Sequence, residues 1–253
     1  MEPEFPIEIP PEERSLFRIF VGILLTPWRI FEDMRDTPPN RAHWLIPLLL
    51  YIAVAATGTQ IIAGLPGPAS HLRTLSEQDF LPRLEEYVRE GTMTRQQTEW
   101  LRLFITPGTG QFFFTQLAGT TFTAAGGLFL LSFLLWQLGR SVLARAVPYK
   151  KVMEVVGLTL IVGVVERVIT TALIAATGSL FATPGPGLLM LGDTESKVFL
   201  LLSSINICTF WEIAVAGTGL SRVYDRDFPK VLVLLLALWL LWTGVMLFPI
   251  VTA

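Results

Sequence analysis

Five apolar segments dominate this sequence, and each is close to the ~20 residues that an α-helix needs to cross a ~30 Å hydrocarbon core. They run over about 44–63, 112–138, 152–176, 197–220 and 231–250. The pattern predicts an all-α fold, a polytopic transmembrane helical bundle with five spans. Composition agrees, because 253 residues that are 52% hydrophobic and only 16% charged are too apolar for a soluble domain of this size. The implied partner is the lipid bilayer, with other membrane proteins or a homo-oligomer as further partners.

Several function classes fall away on residue content. A net charge of −2 without a clustered basic surface gives nothing to neutralise phosphates, so no nucleic acid is expected. The single cysteine, Cys208, lies in an apolar segment and leaves no multi-Cys metal or redox motif. His43 and His71 lie outside the spans and far apart, which reads as ordinary surface or interfacial histidine rather than metal ligation. There is no His-Glu-x-x-His, no Gly-x-Ser-x-Gly and no phosphate-binding Gly-Lys-Ser/Thr. Catalytic residues, cofactors and metals are therefore all expected to be none, and the chain is read as a non-enzyme.

Residues 1–43 form a separate N-terminal part. An acidic, Pro-rich tail precedes Leu16, Phe17, Phe20, Ile23, Leu24, Trp28, Ile30 and Phe31, interspersed with Arg14, Arg18, Arg29 and Arg35. That mixture predicts one or two amphipathic helices in the membrane interface, with Thr26-Pro27 starting the second. Residues 44–253 hold the five-helix domain, and 64–111 form an extramembrane loop whose Ser76 to Glu90 and Thr94 to Phe104 stretches predict a helical hairpin. The loop 177–187 is rich in Gly and Pro and shows no recognisable element. With the N-terminus inside, inner segments carry twelve Lys and Arg against six outside. The loop 139–151, with four cations and no acid, decides for N-inside and C-outside. Arg140, Arg145, Lys150 and Lys151 then become candidate lipid-headgroup contacts.

Two stripes follow helical spacing within the spans. Thr115, Gly119, Thr123 and Gly127 recur every fourth residue and are read as a helix-packing face, as are Gly217 and Gly219. The other stripe is polar: Thr159, Gly163, Glu166 and Thr170 share one face of the third span, with Arg167 beside it. A carboxylate at the bilayer centre costs ~2.5–3.5 kcal/mol on insertion scales, so it needs a partner or a task. Asn206, in a helix running the other way, lies at Glu166's depth and is its expected partner; Arg167 with Glu212 is the second pairing. This cluster is read either as a structural latch or as the lining of a polar pathway.

The motifs together resemble one family. Asn206-x-x-x-Phe210-Trp211, then Gly217-x-Gly219-Leu220-Ser221-Arg222-Val223 and a basic turn, is similar to the Yip1-domain membrane proteins, particularly their short bacterial members. So are Leu24-Leu25-Thr26-Pro27-x-x-x-Phe31, Trp44-x-x-Pro47-Leu48-Leu49-Leu50 and Lys150-Lys151-Val152-Met153-Glu154-Val155-Val156-Gly157. Glu212 and Arg167 depart from the family pattern. The resemblance implies five spans, a bacterial cytoplasmic membrane, and a role in membrane organisation, trafficking or scaffolding. Eukaryotic relatives are associated with vesicle traffic and Rab GTPases; this chain shows no long cytoplasmic N-terminal region, so the Rab role is not expected. The competing expectation is a transporter, channel or lipid scramblase using the polar stripe.

Overall fold

The computed structural model describes residues 15–75, 78, 80–143, 145–194 and 196–252, with side chains as far as 247. Among these residues regular structure is entirely helical. Part of the predicted loop helix start, at 76, 77 and 79, lies outside the described residues, as does the tail 1–14.

The N-terminal part folds as two helices, α1 (Leu16–Leu25) and α2 (Pro27–Met34), with Pro27 at the first helical position, where its missing N–H costs nothing. The long helices are α3 (Ala42–Gly64), α7 (Gly110–Ser141), α8 (Tyr149–Thr177) and α11 (Phe228–Thr252). Between α3 and α7 lie α4 (Pro66–Leu75), α5 (Leu81–Arg89) and α6 (Arg95–Ile105). The hairpin of α5 and α6 turns at Gly91, whose φ of 72° suits glycine. Thr94 and Gln97 close a capping box at the start of α6. Helix α4 begins at the Pro66-Gly67-Pro68 run, inside the predicted loop 64–111.

Four helical runs are long and apolar enough to cross a membrane: Ala42–Gly64, Gly110–Ser141, Lys197–Tyr224 and Phe228–Leu247. Helix α8 matches them in length but carries Lys150, Lys151, Glu154, Glu166 and Arg167. It packs against α3, α7, α1 and the later helix α10 (Ile207–Tyr224), and every residue from Val152 to Gly163 except Leu160 is buried. The first half of α8 therefore faces protein, which explains how it carries Lys151 and Glu154, whereas Arg167, further along, is exposed.

Small residues set how closely these helices approach. A Cβ on Gly157 would overlap the Trp44 backbone of α3, and one on Gly139 would overlap the ring of the fully buried Tyr224. In lipid, such close contact is a main source of helix association.

The predicted fourth span, 197–220, falls within the membrane-length run Lys197–Tyr224, but its reading as one continuous helix is corrected. It is two helices, α9 (Lys197–Ser203) and α10 (Ile207–Tyr224), separated by a break at residues 204–206. The Gly/Pro loop before it is also more ordered than expected. It contains a 3-10 turn over Pro186–Met190 and folds back over the break, where Pro184 accepts a hydrogen bond from the Ile207 N–H at 3.0 Å. Gly185 and Gly187 let this loop lie against Ile205 and Ser203. Irregular backbone at membrane depth survives only where protein satisfies it. Here the loop supplies that cover.

Candidate functional site

Asn206 stands at the break. Its backbone is extended (φ −117°, ψ 126°), and it caps α10: Oδ1 accepts from the Cys208 N–H at 2.9 Å. The amide's other end donates Nδ2–H to Glu166 Oε1 at 2.6 Å, joining α10 to α8. The Glu166 carboxylate thus sits beside the N-terminus of α10, where the helix macrodipole favours negative charge. Asn206 is not within a continuous helix, as the sequence suggested; it ends one helix and starts the next.

The rest of the polar stripe divides. Arg167 is exposed on the outside of α8 and donates Nε–H to the Tyr51 hydroxyl at 2.9 Å, its guanidinium 5.5 Å from that ring's centroid. Tyr51 is thus Arg167's partner, and among the described residues no ion pair joins Arg167 to Glu212. Glu212 lies where α10, α8 and α3 meet. Its Oε1 occupies the space that a side chain at Gly163 would need, with the Tyr51 ring alongside. Thr159 turns back on its own helix, donating to the Val156 carbonyl at 2.6 Å. Thr170 is half-buried on the same face of α8.

A second polar cluster, missed by sequence reasoning, is far more enclosed. Glu154 has none of its surface exposed, and Lys151 and His43 are 4% and 9% exposed. His43 Nδ1 lies 2.6 Å from Glu154 Oε1, which also accepts the Asn40 N–H at 3.1 Å. Lys151 Nζ pairs with Glu154 Oε2 at 2.8 Å and donates to the Thr37 carbonyl at 3.0 Å. This cluster ties the linker between α2 and α3 to the start of α8. It corrects two readings: His43 is not a surface or interfacial residue, and Lys151 is not available to a lipid headgroup. The available signal was the Lys151/Glu154 pair at i, i+3, a spacing that places both on one helix face.

Of the other candidate headgroup cations, Lys150 is exposed and Arg140 lies over the Trp136 ring at 4.9 Å. Arg145 is exposed but pairs with Asp225 at 2.8 Å, and the same carboxylate takes Arg35 at 3.0 Å. Asp225 reaches both because it is the left-handed residue (φ 53°) that ends α10. Arg222 meets Glu32 of α2 at 3.0 Å. One end of the bundle is therefore laced together by ion pairs joining α2, α10 and the segment before α8.

The packing candidates also divide. A Cβ on Gly219 would press on Val155 of α8 and Phe31 of α2, and one on Gly217 would touch Phe228 and Leu235 of α11. Gly119 and Gly127 have nothing within 4 Å of a Cβ, and the Thr123 hydroxyl bonds back to the Gly119 carbonyl at 2.8 Å. Among the described residues of one chain, the α7 stripe packs against nothing. Among the described residues, no group of three or more His, Cys, Asp and Glu is arranged to hold a metal.

Compared with known proteins, the chain matches the family model described as the Yip1 domain over residues 21–249. Searches of curated proteins and of solved structures gave no match.

Proposed function

Because this chain belongs to the Yip1 domain family, we propose that it is a non-enzymatic, five-span protein that organises the membrane or holds partner membrane proteins together. In this reading Glu166 and Asn206 form an internal latch. Helix α8 is the remaining span: at 29 residues it extends ~43 Å, enough to cross. Its inner half is sheltered from lipid by α3, α7 and α10, which offsets its low apolarity. The excess of Lys and Arg at the α1–α2 end supports an orientation with that end inside, and the likeness of the motifs to the short bacterial members supports a bacterial cytoplasmic membrane.

One observation carries the latch: the 2.6 Å bond from Asn206 to Glu166, made where the fourth span breaks. A hydrogen bond to a charged group contributes ~1.5–3 kcal/mol, and this half-buried one spans the two helices whose separation would open the bundle. The break itself favours the second reading, because discontinuous helices often line substrate or ion sites in transporters. The two readings differ in a reconstitution experiment. As a latch, Glu166→Ala lowers thermal stability in detergent, and liposomes with the unaltered protein pass no protons, ions or labelled lipid beyond empty vesicles. Flux through the unaltered protein that disappears in Glu166→Ala rejects the scaffold and establishes a pathway.

A further inference from the structure

Helices α1 and α2 present two grooves to the outside. One, of about 500 Å³, is lined by Phe17, Val21, Gly22, Leu25 and Ile30 together with Arg18 and Thr26. The other, of about 690 Å³, is lined by Thr26, Trp28, Arg29, Glu32, Asp33 and Arg222. They share Thr26 and Ile30, so an apolar trough runs directly into a polar one.

The apolar side is exposed in a way that the fold does not explain internally. Phe17 is 75% and Leu25 70% exposed, while Ile19 and Ile23, on the opposite face of α1, are buried. Their spacing makes a straight strip along α1 that faces away from α8. In the polar groove, Glu32 already neutralises Arg222 at 3.0 Å. Arg29 is exposed and forms no ion pair among the described residues, so its guanidinium is the available cation there. A ligand that fits both grooves is an amphiphile with an apolar chain and an anionic group between them. In a membrane protein whose α1 and α2 pack at the ends of α8 and α10, the amphiphile of that chemistry at hand is a bilayer phospholipid.

We propose that the α1–α2 hairpin binds a phospholipid, an acyl chain lying along Phe17, Val21 and Leu25 and the phosphate beside Arg29. The apolar contact comes from area buried against the chain, and the phosphate contact from the planar guanidinium, whose fork suits phosphate oxygens. This site is separate from the Glu166–Asn206 latch, and neither depends on the other.

Native mass spectrometry of the purified full chain in detergent tests it, titrated with dioleoyl-phosphatidylglycerol and, separately, with dioleoylglycerol, which lacks the phosphate. The expected result is saturable retention of the phospholipid and not of dioleoylglycerol. Arg29→Gln weakens that retention about tenfold, the equivalent of one charge-assisted hydrogen bond, and Leu25→Asn weakens it while leaving thermal stability unchanged. Arg41→Gln, at an exposed cation outside both grooves, leaves retention unchanged. Equal retention by Arg29→Gln, equal retention of dioleoylglycerol, or the same loss in Arg41→Gln overturns the proposal, the last by showing general surface attraction. A dimer that disappears in Leu25→Asn while lipid retention persists also overturns it, since a second copy would then fill the trough. Should Arg29→Gln fold poorly, Arg29→Lys, which keeps the charge but not the fork, is expected to fall between the two.

Discussion

Glu154 has its carboxylate enclosed by His43, Lys151 and the Asn40 amide. Removing one member of a buried ion pair strands the other, which typically costs ~3–5 kcal/mol. Glu154→Ala is therefore expected to lower the midpoint of thermal unfolding in detergent by ~10 °C, given the usual few degrees per kcal/mol for a chain of this size. The double replacement of Lys151 by Met and Glu154 by Leu should recover part of that loss, because the lysine charge is no longer stranded, while His43 and the Asn40 N–H still lack their acceptor. A double variant as unstable as the single one would show that the cluster acts through something other than charge pairing. Asn206→Ala removes both the α10 cap and the Glu166 partner. Loss of the cap alone costs ~1 kcal/mol, so a midpoint equal to the parent's would remove Asn206 from the latch.

Elements meet here through positions without side chains. Gly157 in α8 faces the Trp44 backbone, and Gly219 in α10 faces Val155 and Phe31. Gly157→Val should force α3 and α8 apart, at the ~1–3 kcal/mol typical of overpacking. Gly119→Ala, with open space around it, should be neutral or slightly stabilising, since Gly in a helix interior costs ~1 kcal/mol relative to Ala. Thermal scans of the two variants side by side check this. If Gly119→Ala destabilises as strongly as Gly157→Val, the α7 stripe packs against another chain. The α9–α10 break follows the same logic. Ser204 and Asn206 offer side-chain bonds that compete with helical ones, and the loop carrying Pro184 supplies an alternative acceptor for Ile207.

For the molecule as a whole, topology is the open quantity with the simplest test. If the α1–α2 end faces inward, single cysteines at Ser70 and Thr92, introduced with Cys208 replaced, should react with an impermeant maleimide added to intact cells. A cysteine at Ser141 should react only after the membrane is opened. The opposite pattern inverts the orientation. Ion pairs from Asp225 to Arg35 and Arg145, and from Arg222 to Glu32, hold α2 and the segment before α8 on the same end of the bundle. Whatever the orientation, these segments share one side.

The long apolar runs were legible in the sequence because hydropathy is local: each residue's cost in lipid depends on its own side chain, so α3, α7 and α11 could be placed to within a few residues. The cap at Thr94 and the helix start at Pro27 were legible for the same reason, since both depend on residues within a few positions in the chain. The family, too, was legible from short spaced motifs. What depended on partners distant in the chain was not. Lys151 and His43 read as surface groups until the linker at Thr37 and Asn40 folded across α8, more than a hundred positions away. Asn206 read as mid-helix until the loop at Pro184 gave its neighbour's N–H another acceptor. Glu212 acquired surroundings only when Gly163 and Tyr51, on two other helices, closed around it. Local free energies determine where a helix can form, but only tertiary contact decides which buried charge is neutralised and by whom.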